Sequence, residues 1–126
     1  MSKLRICFDI DGVIATGTID GVYSDAAGWN FNKCDPIPET VDLIKRLKDH
    51  GCEIFLNTAR FDEDRGVTEE WLKKHAIPYD RLLMGKPHAD LYIDDKNYPQ
   101  PFCPTDAAHF GAIIEEAMSH AGRRFD

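Results

Sequence analysis

The chain has 126 residues, of which 43% are hydrophobic and 29% are charged, and its formal net charge is −7. These values are typical of one ordinary globular domain, so we predict a single domain over residues 1–126. The acidic balance and the lack of a Lys/Arg-rich run argue against nucleic-acid partners and against adhesion to an anionic membrane. The sequence contains no signal-peptide pattern and no apolar stretch of bilayer-spanning length, so we expect a cytoplasmic protein.

The first half of the chain predicts a strand, a long loop and a helix. Residues 4–10 are apolar and rich in strand formers, so they predict a buried strand that ends near Asp9. Residues 15–38 are irregular and contain glycines, prolines and scattered aromatic residues. A loop of that length inside a domain is usually functional. A helix is predicted over residues 38–50, because proline and glutamate suit its first turn and glycine suits its end.

The second half continues the alternation of strands and helices. Strands are predicted at 52–56, 81–84 and 91–93, and helices at 67–76 and from Thr105 onwards. This order predicts a parallel sheet flanked by helices, that is, a doubly wound, Rossmann-like α/β domain. In such a sheet, ligands bind at the carboxyl ends of the strands.

The four cysteines are predicted to be reduced. Cys7, Cys34, Cys52 and Cys103 match neither a zinc-ligand spacing nor a Cys-x-x-Cys redox motif. Cys7 and Cys52 lie within apolar runs, where we expect buried thiols that behave as small hydrophobic side chains.

The residues that follow the predicted strands carry the groups that phosphoryl transfer requires. In strand order they are Asp9 with Asp11, Thr58 with Ala59 and Arg60, Lys86, and Asp94 with Asp95. We expect them to gather at one edge of the sheet, because the strands are predicted to be parallel. A phosphate ester carries negative charge that repels a nucleophile, so such a site needs cations and hydrogen-bond donors.

The chemistry of these groups suggests a role for each. Mg²⁺ prefers oxygen ligands, and Asp9 and Asp94 are good candidates to hold it. Lys86 can pair with a phosphate as a point charge, while the Thr58 hydroxyl and nearby backbone N–H groups can donate to its oxygens. Asp9 can attack phosphorus to form an aspartyl-phosphate. Asp11 can protonate the leaving oxygen and then deprotonate the water that cleaves the intermediate.

Over residues 4–96 the chain resembles the haloacid dehalogenase superfamily, whose four motifs follow apolar strands in the same order. The matching residues are Asp9-Ile10-Asp11-Gly12, Thr58, Lys86 and Asp94-Asp95. An aspartate two positions after the nucleophile resembles the phosphatase branch of that superfamily. The resemblance implies that Asp9 is nucleophile and metal ligand, and that Asp11 is the acid/base whose backbone carbonyl also binds Mg²⁺. It implies that Thr58, Ala59 and Lys86 hold the phosphoryl group. It also implies that Asp94 ligates the same metal and that Asp95 supports it, directly or through water.

The chain also resembles the capless members of the superfamily, because no segment is long enough for a full cap domain. Residues 15–38 correspond to the flap region of that family. Capless members act on large substrates or take a lid from a neighbouring subunit, so we expect a homo-oligomer. Size and motif style are similar to small proteins of bacterial capsule or surface-polysaccharide biosynthesis, which implies a phosphorylated small molecule or saccharide as substrate.

Other interpretations compete with a phosphatase. A receiver-type signalling domain needs its phosphoacceptor aspartate after the third strand, where this chain has Leu83, Met84 and Gly85. Every motif residue is present, so the sequence gives no support to a catalytically silent binding module. A phosphomutase normally needs a cap domain, which this chain is too short to contain. Arg60 and Arg65 are candidate substrate-binding residues, although a solvated charged loop explains them equally well.

Overall fold

The computed structural model describes residues 3–23, 31–97, 115–116 and 118–119. The chain divides into two compact units, Met1–Pro87 and His88–Asp126. The single domain expected over residues 1–126 stays a prediction.

The first unit contains all the named helices and strands of the described residues. In chain order they are β1 (Arg5–Phe8), β2 (Thr18–Ile19), β3 (Val22–Tyr23), α1 (Pro38–Asp49), β4 (Glu53–Asn57), α2 (Arg65–Lys74) and β5 (Arg81–Leu83). Strands β1, β4 and β5 form one parallel sheet in the order β1-β4-β5. The predicted Rossmann-like α/β fold is therefore confirmed.

Both predicted helices of this unit are present, and each buries one apolar face. Helix α1 begins at a proline, carries Glu39 in its first turn, and buries Val41 and Ile44. Helix α2 begins two residues before its predicted start, because a 3₁₀ turn at Asp62–Asp64 leads directly into it. It buries Thr68, Trp71 and Leu72.

The core of the first unit lies between the sheet and these helices. Its buried apolar side chains are Ile10, Ile14, Ala15, Cys34, Val41, Ile44, Ile54, Leu56, Trp71, Leu72, Ile77 and Leu82. Strand β1 is less covered than predicted, since Arg5 and Cys7 are exposed and Ile6 and Phe8 are half-buried. The expectation of a buried first strand is wrong within the described residues, where β1 pairs only with β4.

The burial of the cysteines also differs from the prediction. Cys7 is exposed and Cys52 is half-buried, whereas Cys34, which lies in a loop, is buried. Burial raises the pKa of the Cys34 thiol, so this group is a poor nucleophile. Cys103 lies outside the described residues.

The loop at residues 15–38 contains a hairpin that the sequence did not predict. The carboxylate of Asp35 accepts hydrogen bonds from the Thr18 hydroxyl and from the backbone N–H groups of Asp20 and Gly21. The bond from Thr18 holds the pKa of the Asp35 carboxyl below its ordinary value. This one side chain therefore fixes the turn between β2 and β3. Residues 24–30 of the loop lie outside the described residues.

In the second unit, the strand predicted at residues 91–93 is not formed. Leu91, Tyr92 and Ile93 are 38%, 43% and 47% exposed. The Tyr92 carbonyl accepts a hydrogen bond from the Asn97 side chain at 2.9 Å, which is a local contact. The prediction is wrong, and the physical reason is that these three apolar side chains are not buried, whereas strands are stabilised by packing of their side chains against neighbours.

Only a small part of the predicted C-terminal helix is described, namely the helical residues 115–116 and 118–119. The remainder of this prediction lies outside the described residues. In the part of the chain that the structure describes, no helix has the length and apolarity needed to cross a bilayer.

The Asp80 carboxylate should make the stability of the protein sensitive to acid. It accepts two hydrogen bonds from Lys48 at 2.9 Å and one from the Ile54 backbone at 2.7 Å. The bonds from Lys48, followed by the bond from Ile54, lower the pKa of Asp80 in the folded protein. A lowered folded-state pKa gives stability that is present above the unfolded-state pKa and is lost as the pH falls through the folded-state pKa.

We therefore expect the free energy of unfolding to decrease as the pH falls from about 5 towards 3, and to decrease less steeply in Asp80→Asn. Urea unfolding at each pH measures both slopes. The Lys48→Met variant, which removes the ammonium donor, should also flatten the slope. Equal slopes in wild type and Asp80→Asn would show that this carboxylate does not contribute.

Candidate active site

A tight turn after β1 presents Asp9 and Asp11. The carbonyl of Ile10, a fully buried residue, accepts the backbone N–H groups of Val13, Ile14 and Ala15 at 3.1, 2.8 and 2.9 Å. Gly12 follows with φ +85°, which side-chain-bearing residues rarely adopt. Because Ile10 is held in the core, the carboxylates on either side of it lie at the carboxyl end of the strand.

The Asp9 carboxylate is fixed by a backbone donor and lies beside a cation. Its Oδ1 accepts the N–H of Ile10 at 2.7 Å. Its Oδ2 lies 3.9 Å from Nζ of Lys86, and the Asp9 side chain is 35% exposed. This carboxylate is thus oriented and still accessible to a ligand.

The turn after β5 brings Lys86 to this edge of the sheet. The backbone N–H of Thr58 donates to Leu83, the N–H of Lys86 donates to Thr58, and the N–H of Gly85 donates to Arg60, all at 2.8–2.9 Å. Gly85 has φ +76°, which suits the bend that precedes Lys86. Pairing between the segments that follow β4 and β5 therefore continues beyond the sheet and sets the path of the lysine backbone.

Thr58 and Ala59 lie at the end of β4. Thr58 is fully buried, and its hydroxyl oxygen accepts the Arg60 backbone N–H at 3.2 Å. A hydroxyl that accepts in this way keeps its own hydrogen for donation to another group. Ala59 is half-buried. Both residues are placed as the strand order predicts, whereas their binding of phosphate stays a prediction.

Arg60 forms a bidentate pair with Asp11. Its Nε donates to Oδ2 at 3.0 Å and its Nη2 to Oδ1 at 2.7 Å. Its Nη1 donates to the Thr68 hydroxyl at 3.0 Å, and its guanidinium carbon lies 3.8 Å from the centroid of the Phe31 ring. The Arg60 side chain is only 2% exposed, whereas Asp11 is 54% exposed. The interpretation that Arg60 lies in a solvated charged loop is therefore wrong.

The sequence did not reveal the pairing of Arg60 with Asp11. The acidic residues Asp62, Glu63 and Asp64 next to it suggested a solvated segment. The one signal that could have indicated burial is the position of Arg60 two residues after Thr58, at a predicted strand end.

Arg65 connects α2 with β5. Its Nη2 donates to the Leu82 carbonyl at 2.9 Å, and its Nη1 lies 3.3 Å from the Glu69 carboxylate. These contacts stabilise the packing of the helix, and contact of Arg65 with substrate stays a prediction.

Asp94 and Asp95 lie in the second unit, within a local turn. The Asp94 carboxylate accepts the Lys96 backbone N–H at 3.0 Å, and this bond lowers the pKa of Asp94. The Asp95 carboxylate lies 3.7 Å from Nζ of Lys96. Both side chains are exposed. Their predicted role as metal ligands stays a prediction.

The donors at Asp9 are of the kind that Mg²⁺ accepts. Among the described residues, no group of three or more His, Cys, Asp or Glu side chains is arranged to hold a metal ion. Mg²⁺ does not require one, since it is commonly held by one or two carboxylates together with substrate phosphate and water. The half-buried, accessible Asp9 carboxylate fits that mode of binding.

Comparisons with known proteins place the fold among solved structures. No protein-family model matches the chain, and no curated protein matches it. It is similar to a structural-genomics target from Vibrio cholerae, with a TM-score of 0.58, 24% identity, and coverage of 83% of this chain and 87% of that one.

The chain is also similar to parts of larger chains. One belongs to a Pnkp1/Rnl/Hen1 complex, with a TM-score of 0.55, 28% identity, and coverage of 65% of this chain and 27% of that one. Another belongs to a Pnkp1/Rnl/Hen1 RNA repair complex, with a TM-score of 0.53, 24% identity, and coverage of 90% and 32%. These similarities agree with the Rossmann-like α/β fold of the chain.

Proposed function

We propose that the protein is a Mg²⁺-dependent phosphomonoester hydrolase of the haloacid dehalogenase type, with Asp9 as its nucleophile. The observation that carries this proposal is the arrangement at the sheet edge. The accessible Asp9 carboxylate lies 3.9 Å from the Lys86 ammonium, at the end of the parallel strand β1. A carboxylate beside a cation can approach a phosphoryl group that the same cation attracts.

The reaction proceeds in two displacements. A carboxylate oxygen of Asp9 attacks phosphorus, the bond from phosphorus to the leaving oxygen breaks, and Asp11, which enters this step protonated, gives that oxygen its proton. Water then attacks the phosphorus of the aspartyl-phosphate while Asp11 takes a proton from it. Inorganic phosphate leaves, and the Asp9 carboxylate is restored.

The other residues of the site bind the phosphoryl group and the metal. Lys86 contributes a positive charge, and the Thr58 hydroxyl and the Ala59 N–H contribute donors to phosphate oxygens. Mg²⁺ would be held by Asp9 and the Asp11 backbone carbonyl, and the ligand role of Asp94 and Asp95 stays a prediction. When bound, it neutralises charge on the phosphoryl oxygens.

The substrate we propose is a phosphorylated small molecule or saccharide, such as an intermediate of surface-polysaccharide metabolism, and the active form is a homo-oligomer. The net charge of −7 favours the smaller substrates, because nucleic-acid binding draws most of its affinity from cationic contacts with phosphates.

Removal of the metal should abolish turnover. We expect hydrolysis of a generic aryl phosphate to saturate with added Mg²⁺ and to fall to background with a chelator, then to return when Mg²⁺ is restored. A panel of sugar phosphates and 5′- and 3′-phosphorylated oligonucleotides, assayed in the same way, identifies the substrate class. Hydrolysis that the chelator leaves unchanged contradicts the proposed metal dependence. No turnover across the whole panel contradicts the phosphatase function itself.

A further inference from the structure

We propose, on the basis of the phosphatase function proposed above, that Arg60 is a positioning residue that sets the orientation of the Asp11 carboxylate for proton transfer. Arg60 acts through Asp11 and does not itself contact the substrate. Its side chain is 2% exposed, so it offers almost no surface to a ligand, whereas Asp11 is 54% exposed.

The pairing geometry fixes the plane of the carboxylate. Both Asp11 oxygens accept from the same guanidinium, at 3.0 and 2.7 Å. The turn after β1 fixes the Asp11 backbone, but it does not fix rotation about the side-chain bonds. A planar guanidinium that donates two parallel bonds does fix that rotation, whereas a lysine ammonium supplies only a point charge.

Arg60 is itself held from three further directions. Its Nη1 donates to Thr68, a fully buried residue of α2, and the Phe31 ring lies 3.8 Å from its guanidinium carbon. Its backbone carbonyl accepts the N–H of Gly85, next to Lys86. A guanidinium that is removed from water keeps its position strongly, because every alternative leaves its charge without these partners. The orientation of Asp11 therefore depends on α2 and on the Phe31 segment.

The Arg60→Lys variant tests this role by kinetics. It keeps the positive charge and loses the bidentate fork. We expect kcat to fall by about 10- to 100-fold, with KM changed by less than about threefold, because proton transfer is impaired while substrate binding is not.

Matched variants separate positioning from general destabilisation. Arg46→Lys alters an exposed arginine that pairs with Asp42 on α1, and its kinetics should equal those of wild type. Phe31→Leu keeps the Arg60–Asp11 pair and removes the ring face, so its kcat should fall less than that of Arg60→Lys. The inference is overturned if Arg60→Lys keeps the wild-type kcat, or if its loss appears only in KM.

A spectroscopic measurement tests the contact without activity. In ¹H–¹⁵N spectra of the wild-type protein, the Nε–H of Arg60 should give a resolved signal that exchanges slowly with water. It should shift in Asp11→Asn and stay unchanged in Asp42→Asn. If the signal exchanges quickly with water and its chemical shift is unchanged in Asp11→Asn, the inference is overturned even if the enzyme is active. If the wild-type protein hydrolyses no phosphate ester, the proposed function fails and this role fails with it. If the wild-type protein is active and the Arg60→Lys variant has the same kinetics, only the role of Arg60 is refuted.

Discussion

Replacing Asp9 with asparagine is expected to lower Mg²⁺-dependent hydrolysis of an aryl phosphate by at least about a thousandfold. The amide has nearly the shape of the carboxylate, and its oxygen can still accept the Ile10 N–H that Asp9 accepts at 2.7 Å. The fold should therefore survive. The amide cannot act as the anionic nucleophile, and it also weakens the attraction for Mg²⁺ and for Lys86, 3.9 Å away.

Steady-state kinetics and mass spectrometry of acid-quenched protein measure this prediction together. Wild type should show a phosphorylated species during turnover, and Asp9→Asn should not. Asp42→Asn is the matched control, since it makes the same chemical change at an exposed position on α1. Turnover by Asp9→Asn close to that of wild type, or a phosphorylated species in the variant, would place the nucleophile elsewhere.

The Trp71→Ala variant should show the largest loss of stability, about 3–5 kcal/mol in the free energy of unfolding. Trp71, a residue of α2, is 1% exposed and packs in the core. Its indole N–H donates to the Cys34 carbonyl at 2.8 Å. Alanine leaves a cavity and also removes the partner of a buried carbonyl.

Urea unfolding of a small series separates these two effects. Trp71→Phe keeps most of the ring volume and loses the hydrogen bond, so it should cost about 1–2 kcal/mol. Leu43→Ala, at a position that is 39% exposed on α1, should cost less than about 1 kcal/mol. If Trp71→Ala unfolds at the same urea concentration as Leu43→Ala, the tryptophan does not occupy the core as described.

The elements that the sequence predicted correctly are those with a strong local pattern. Helix α1 has proline in its first turn and one apolar stripe, and strand β4 has the apolar residues Ile54, Phe55 and Leu56 at its centre. The residues 91–93 have the same apolar character, but a strand also needs a partner and burial, which three residues do not encode. The hairpin of β2 and β3 escaped prediction because its turn is held by Asp35, far along the chain.

The candidate site was predictable to the extent that strand topology determines it. Parallel strands β1, β4 and β5 bring Asp9, Thr58 and Lys86 to one edge, and this follows from the order of strands and helices alone. The pair of Arg60 with Asp11 depends on side-chain rotamers and on a helix and a loop that pack around the guanidinium. Those contacts belong to tertiary packing, which no local pattern in the sequence specifies.

The buried Ile10 has a consequence for how this protein can change. It separates the two carboxylates of the site, and its carbonyl accepts three backbone N–H groups of the following turn. A substitution that loosens the packing of Ile10 would also alter the spacing of Asp9 and Asp11. The stability of the fold and the activity therefore cannot be changed independently at this position. Laboratory evolution of a more heat-resistant variant should find its gains on the surfaces of α1 and α2, and should leave this turn as it is.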